Sequence, residues 1–246
     1  MKKKIVIFSG AGISKESGVL TFRDVKDGLW NNYKIEDVAT IEAWKKNPEM
    51  VLNFYNERRR QLPDVKPNGA HWAIAGLEED FDVTIITQNV DDLHERAGST
   101  NILHLHGELT KAKSSYGTGN RNFDTVCEPI NIGYDDILYG DIDEKFHQQI
   151  RPDIVWFGEY PKCISKAYDV IRKADNLLIV GTSLQIGYTL DMLQNVKTTC
   201  KIVYIDPEPA NYLDNYGLNV KYIRENAVSG VNAFVNKLHD ENNEKK

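Results

Sequence analysis

Lys4-Ile5-Val6-Ile7-Phe8, followed by Ser9-Gly10-Ala11-Gly12-Ile13-Ser14, is the stretch on which the fold turns. Its first five positions are mostly apolar and β-branched, the composition of a strand buried in a parallel sheet. Two glycines one residue apart then mark a sharp turn. Without a Cβ at Gly10 or Gly12, backbone N–H groups can approach an anion closely, and a helix starting near Ser14 would aim its positive end at the same point. Such a turn admits a pyrophosphate. It departs from the G-x-G-x-x-G dinucleotide pattern, because position 15 is Lys and a second loop carrying Thr21, Phe22 and Arg23 replaces a continuous helix. A strand-Gly-x-Gly turn taken alone is as often a tight turn without a ligand, so the rest of the chain decides.

Residues 83–87, 101–104, 153–157, 177–181, 201–205 and 220–223 repeat the strand pattern of 4–8. Helical patterns at 48–60, 68–79, 165–174, 188–194 and 227–238 separate most of them, with Pro48 at a first turn and Asn68 as a cap. This rhythm predicts an α/β fold with a doubly wound, Rossmann-like parallel sheet. Polar and glycine clusters fall at the expected C-terminal ends of its strands: Gly10 to Gly12, Gln88 and Asn89, His106, Gly158 and Glu159, Gly181 to Ser183, and Asp206. Residues 25–66 and 111–149 break the rhythm and are expected to form a smaller inserted second lobe. The large lobe then takes 1–24, 67–110 and 150–238, and 239–246 is a solvated tail.

Composition excludes several classes. A chain of 246 residues with net charge −6 and no basic block beyond Arg58-Arg59-Arg60 is not built for nucleic acid. No apolar run approaches the roughly twenty residues of a membrane span. Met1-Lys2-Lys3-Lys4 is followed by too short an apolar stretch for a signal peptide. Three widely spaced cysteines, Cys127, Cys163 and Cys200, fit no disulfide framework and suit a reducing cytoplasm.

Individual residues carry two readings each. Asn89 and Asp91 alternate along an extended segment and can face one cleft, or an Asp there can cap a helix over 93–97. His106, beside Gly107, is placed as a general base or as a hydrogen-bonded structural residue, and His104, two residues earlier, is its decoy, pointing the same way if the strand persists. Arg23 can pair with pyrophosphate or with Asp24 or Asp27. Thr182 and Ser183 can cap a helix or hold a phosphate. Asp206 and Glu208 offer carboxylates to ribose hydroxyls. Tyr55 and Arg58, three apart on a helix, share a face and can present a hydroxyl and a guanidinium to one target, or be a half-buried ring and a solvated charge.

Gly10-Ala11-Gly12-Ile13-Ser14 with Ser17-Gly18 and Phe22-Arg23, Thr87-Gln88-Asn89-Val90-Asp91, His104-Leu105-His106-Gly107-Glu108, Val155-Trp156-Phe157-Gly158-Glu159 and Val180-Gly181-Thr182-Ser183-Leu184 together resemble the ordered motif set of the sirtuins, NAD-dependent protein-lysine deacylases. The resemblance runs over about residues 5–235. It implies an NAD pocket lined by Gly10, Ala11, Gly12, Thr21, Phe22, Arg23, Gln88, Asn89, Asp91, Gly181, Thr182, Ser183, Asp206, Glu208 and Ala227. Asn89 and Asp91 would face nicotinamide, with His106 and Asn89 as the catalytic residues. Tyr55 and Arg58 resemble the Tyr-x-x-Arg pair of class III members, which recognise succinyl-, malonyl- or glutaryl-lysine, and Gly28-Leu29-Trp30 also resembles bacterial class III. Trp156 and Phe157 would flank the acyl-lysine stem. The implied reaction releases nicotinamide and gives O-acyl-ADP-ribose. The implied partners are acyl-lysine proteins or peptides, met by a cytoplasmic monomer without nucleic acid or membrane.

The chain departs from the family at the metal. Sirtuins hold structural zinc with four cysteines between the His-Gly motif and the Phe-Gly-Glu strand, an interval that here has Ser114-Ser115-Tyr116-Gly117 and only Cys127. A zinc-free small lobe is expected, packed through Tyr116, Phe123, Ile130, Ile132, Ile137, Leu138 and Phe146. That departure keeps two other activities open: an NAD glycohydrolase or ADP-ribosyltransferase on the same scaffold, and a non-enzymatic NAD or ADP-ribose binding module.

Overall fold

The computed structural model describes residues 2–19, 33–119 and 127–243. Nine strands run in chain order as β1 (Lys4–Ser9), β2 (Asp82–Thr87), β3 (Ile102–His104), β4 (Gly107–Ser114), β5 (Ile130–Asn131), β6 (Ile150–Ile154), β7 (Asn176–Val180), β8 (Lys201–Ile205) and β9 (Val220–Ile223) among the described residues. The helices are α1 (Ile35–Val38), α2 (Ile41–Lys46), α3 (Pro48–Gln61), α4 (Gly69–Gly76), α5 (Leu93–Arg96), α6 (Ile164–Ile171), α7 (Gly187–Leu193) and α8 (Ala227–Asn243). Six strands form a parallel sheet in the order β3-β2-β1-β7-β8-β9, and β5-β4-β6 form a small antiparallel sheet.

β1 shows why the first stretch is decisive. Side chains alternate across a strand, so Ile5 and Ile7 enter one core with Ala70 and Ile74 of α4 and Val231 and Phe234 of α8. Val6 and Phe8 enter the other, with Ala167 and Ile171 of α6 and Met192 and Leu193 of α7. All four are essentially excluded from water. A doubly covered central strand must be apolar at every position, as this one is. The expected α/β fold with a smaller second lobe is therefore the observed one.

The small lobe has its own core. Val51, Leu52, Phe54 and Tyr55 of α3 pack with Trp44 of α2, Leu109 and Ala112 of β4, Ile154 of β6 and Trp156. The α3 helix starts at Pro48 in the first turn, with the Asn47 side chain accepting from Met50 N at 3.0 Å. Beneath it Arg151 and Glu159 form a buried ion pair at 2.7 Å, the guanidinium lying 3.3 Å from the centre of the Trp156 ring.

Four expectations change. Residues 153–157 read as a strand of the parallel sheet, but 150–154 pair antiparallel with β4, at the edge of the small sheet where Pro152 costs no inner ladder bond. The small sheet thus begins at Gly107 and reaches Ile154, so the expected boundaries at 111 and 149 do not coincide with it. The tail begins later than 239, because α8 runs to Asn243, with Leu238 buried and Glu241 paired to Lys201 at 2.8 Å. Of the residues expected to pack the small lobe, Ile137 is buried and Ile132 partly so, whereas Ile130 and Leu138 are exposed. Tyr116 and Phe146 stack on each other at 4.4 Å, and Phe123 lies outside the described residues.

A polar knot around Asp143 fastens part of the small lobe. Ser114 Oγ donates to Asp143 Oδ2 at 2.6 Å, and the backbone N–H groups of Lys145, Phe146 and Gln148 donate to the same carboxylate at 3.1, 2.7 and 3.1 Å. Ser114 Oγ in turn accepts from Tyr116 N at 3.1 Å. Burial opposes ionisation of Asp143, yet these donors hold its carboxyl below the ordinary range.

Candidate active site

The sheet order reverses direction between β1 and β7, and ligands of such sheets bind beyond the strand C-termini at this point. Gly10 N donates to Val180 O at 3.0 Å and Gly12 N to Gly181 O at 2.8 Å, so the two loops abut. A Cβ on Gly12 would lie 2.6 Å from Gly181 Cα, and Gly181 itself has φ +62°. Only glycine permits both the approach and the backbone turn. Ala11, Gly12, Gln88, Gly181 and Ser183 are partly exposed around this junction, and Thr182 is buried.

Beyond β2, three polar side chains lock together. Asn89 Nδ2 donates to Ser14 Oγ at 3.1 Å, and Ser14 Oγ donates to Asp91 Oδ2 at 2.9 Å. Asp91 Oδ1 accepts from the N–H of Leu93, the first residue of α5, at 3.2 Å, while the N-cap position itself is Asp92, whose side chain makes no cap bond. Burial pushes the Asp91 carboxyl up to about 6, against the pull of those donors. Asn89 Oδ1 is buried and has no partner among the described residues. A buried carboxamide oxygen left unpaired is costly, and a ligand amide would satisfy it.

His106 follows β3. Its Nδ1 lies 3.0 Å from Gln88 O and its Nε2 2.6 Å from the Tyr188 hydroxyl. A carbonyl can only accept, so Nδ1 carries the proton and Nε2 presents its lone pair. Burial, opposed by the Gln88 carbonyl, lowers the imidazole to about 4, so it is a neutral base at physiological pH. The decoy behaves differently. His104 Nε2 meets Glu95 Oε1 at 2.7 Å and its Nδ1 faces Asn89 O at 3.2 Å, which makes both nitrogens donors. Burial works against that charge, but Glu95 raises the imidazole above its ordinary value. Glu95, His104 and Glu108 are close enough to hold a cation, yet Glu108 pairs with Lys111 at 2.7 Å and the trio is accounted for as ion pairs.

Gly107 fixes the position of His106. It has φ +83°, and a Cβ there would lie 1.8 Å from Asp153 O of the paired strand. Gly107→Ala is expected to cost more than about 4 kcal/mol, because backbone cannot yield as a flexible side chain does. Urea unfolding of the variant checks this; a loss under about 1 kcal/mol would mean that β4 and β6 can separate freely.

At the far end of the sheet Asp206 is buried, its Oδ1 accepting from Glu208 N at 2.9 Å, while Glu208 is exposed. Ala227 is buried at the start of α8, whose second residue, Val228, donates its N–H to Glu16 Oε2 at 2.8 Å. Thr21, Phe22, Arg23 and Gly28-Leu29-Trp30 lie outside the described residues. Trp156 does not reach a cleft: it is 1% exposed, its indole N–H donating to the Tyr55 hydroxyl at 3.1 Å, and only Phe157 of that pair is exposed. Tyr55 is likewise buried, with its phenol raised to about 12 by burial. Arg58 lies over the Phe54 ring at 3.2 Å and donates from Nη1 to Phe54 O at 2.9 Å. Burial lowers its guanidinium to about 10, which leaves it charged at neutral pH. Sequence reasoning missed Tyr188. It was visible only as a helix start, since its partner lies 82 positions away.

A parallel sheet with glycine loops meeting at its switch point, a buried amide and a neutral histidine beside them, defines a nucleotide-binding α/β protein. Comparison with known proteins takes this further. The Sir2 family pattern matches residues 10–187, and the chain belongs to that family. It is 46% identical over 239 residues to an NAD-dependent protein deacylase of Helicobacter pylori, covering 96% of this chain and 97% of that one. Among solved structures it resembles a Sir2 homologue bound to NAD, with TM-score 0.82 and 32% identity over 98% of this chain and 91% of the other. A Sir2 protein holding a deacetylated peptide and 3′-O-acetyl-ADP-ribose matches with TM-score 0.76 and 25% identity, covering 96% and 94%.

Proposed function

We propose that this chain is an NAD-dependent protein-lysine deacylase that removes acidic acyl groups, succinyl and malonyl, as well as acetyl. The buried, unpaired Asn89 Oδ1 beside the neutral His106 carries the reading, because it asks for an amide ligand where a base is ready. When bound, NAD would supply a ribose carbon activated by its nicotinamide leaving group and a hydroxyl that accepts the acyl group, so that with one water consumed the products are nicotinamide, free lysine and O-acyl-ADP-ribose. In this reading Asn89 and Asp91 hold the nicotinamide amide. Gly10 and Gly12, whose own N–H groups are spent on Val180 and Gly181, leave room for the phosphates beside Ala11, Thr182 and Ser183, joined by Thr21, Phe22 and Arg23. Gln88, Gly181, Asp206, Glu208 and Ala227 complete the pocket, the two carboxylates on a ribose. His106 takes a proton at Nε2.

Acidic substrates are favoured by Arg58, a charged guanidinium on α3 one face from Tyr55. The Tyr55 oxygen accepts from Trp156 and so keeps its own O–H to donate. Phe157 would line the acyl-lysine stem. We further read the small lobe as zinc-free, since three cysteines in the chain cannot make four thiolate ligands, and the protein as a cytoplasmic monomer. No helix among the described residues is long and apolar enough to cross a membrane.

Nicotinamide release from NAD, by metal-free protein with acetyl-lysine peptide, succinyl-lysine peptide or no peptide, tests the proposal. Peptide-dependent release is expected; release without peptide makes the chain a glycohydrolase instead, and no release under any condition leaves a binding module. Arg58→Met is expected to cut succinyl-lysine turnover about 10- to 100-fold more than acetyl-lysine turnover, the worth of one charge-assisted pair. Equal losses would remove the case for carboxylate recognition.

A further inference from the structure

The base of this site is not open. Its acceptor nitrogen, His106 Nε2, is taken by the Tyr188 hydroxyl at 2.6 Å, and the groups around that hydroxyl form a directional circuit. Thr182 Oγ1 donates to Gln88 Oε1 at 2.7 Å. The Gln88 amide then has its NH₂ left over, facing the Tyr188 phenol, whose ionisation it favours against the opposing effect of burial. Tyr188 O–H donates to His106 Nε2, and His106 Nδ1–H returns to the Gln88 backbone carbonyl at 3.0 Å. Each donor has one acceptor, so the direction of every bond follows from the two groups that have no choice: the carbonyl that must accept and the imidazole nitrogen left without a proton. Burial keeps the Tyr188 phenol up at about 12, so its proton stays in the circuit at any working pH.

Two members of the circuit, Gln88 and Thr182, belong to the pocket assigned above to NAD. Tyr188 lies at the start of α7 and sits edge-on to the His106 imidazole, with ring centres 6.1 Å apart. A hydroxyl donating to Nε2 is what a ribose hydroxyl must also do before His106 can take its proton. Both cannot occupy one lone pair.

We propose that Tyr188 is a positioning residue whose hydroxyl holds the place of the ribose hydroxyl on His106, and that engagement of Gln88 and Thr182 by the cofactor releases it. The inference rests on the proposed NAD-dependent function for its second half only. In the free protein Tyr188 fixes the Nδ1–H tautomer and shields the base. When ligand draws the Gln88 amide away, the phenol loses the polar neighbour beside it, and Nε2 opens to the incoming hydroxyl.

Tyr188→Phe keeps the ring and removes the hydroxyl. In ligand-free, histidine-labelled protein, with the His106 signal assigned by its loss in His106→Ala, the variant is expected to raise the His106 pKa by roughly one unit. That is tenfold in its protonation equilibrium, because a donor to the neutral imidazole is gone. Calorimetry is expected to show ADP-ribose binding about 2- to 10-fold tighter, since no internal bond has to break first. An unchanged His106 pKa, or unchanged affinity for ADP-ribose, overturns the proposal. So does a variant that still releases nicotinamide but no longer transfers the acyl group, for Tyr188 would then relay the proton rather than hold a place. The wild type supplies a check that needs no variant: saturating ADP-ribose must shift the ring Cζ resonance of Tyr188 together with the His106 imidazole, and a stationary Tyr188 signal sinks the idea. Absence of any ADP-ribose binding would end the proposed function and the release step with it, whereas the free-protein titration would still decide whether Tyr188 caps the base.

Discussion

His106→Ala is expected to lower peptide deacylation by about 10²- to 10⁴-fold, the usual worth of a positioned general base. Nicotinamide release that depends on acyl peptide should survive better, because Asn89 and the glycine loops are untouched. The geometry supports the separation: His106 is held by the Gln88 carbonyl, while Asn89 is held by Ser14, through different side-chain bonds. A pH profile adds an independent sign. With the imidazole lowered to about 4 by burial, the base is already unprotonated well below neutrality. The acid limb of kcat/KM contributed by this group is therefore expected near pH 4, not near the ordinary histidine value of about 6.5. Near-wild-type deacylation by the variant would reject His106 as the base.

Acidification is expected to remove about 2–4 kcal/mol of stability between pH 7 and pH 5, a large share of what holds a domain together. His71 and His94 carry the effect. Both are fully buried, their rings 5.0 Å apart, and burial lowers His71 to about 4 and His94 well below its ordinary value. His94 Nε2 meets Ser9 Oγ at 3.0 Å, and Ser9 Oγ donates to Thr87 Oγ1 at 2.9 Å, so the pair lies beneath the ends of β1 and β2. A histidine whose folded value is depressed contributes stability above its unfolded value. That contribution falls as the unfolded chain takes up protons below about 6.5 while the native chain does not. His106 adds to the loss. Asp91, raised to about 6, and His104, raised by Glu95, work against it, which is why the expected total is smaller than two unopposed histidines would give. Urea midpoints at the two pH values measure the difference; equal stability would mean that the buried pair is not neutral in the native state.

The large sheet was legible because a doubly covered parallel strand has a composition that nothing else requires. Ile5 to Phe8 and Leu177 to Val180 are apolar at consecutive positions, and each is buried on both faces. Residues 153–157 misled for the same reason. Ile154 and Trp156 are buried as a parallel strand's residues would be, but against α3 and its neighbours, and Pro152 was the local sign of an edge strand. The positions of Gly10, Asn89 and His106 were readable from glycine spacing and strand ends. Trp156 was not, since an aromatic beside a Phe-Gly turn looks alike whether it faces a groove or a core. Tyr188 was invisible for a deeper reason. Its importance lies wholly in a partner on another strand's end, and no periodicity reports a contact across the sheet.

The knot at Asp143 decides which insults the small lobe can feel. Cross-links through thiolates and an ion are undone by oxidants and chelators. Ser114 and Asp143 offer neither a sulfur to oxidise nor any need for an ion, and three of the four donors to the carboxylate are backbone amides, which mutation of their own side chains leaves in place. What remains vulnerable is the charge on one aspartate. Its carboxyl is held below the ordinary range, so the fastening is complete at neutral pH and slackens only as acid neutralises it. At this knot, then, protonation of a single aspartate is the condition that loosens the fastening.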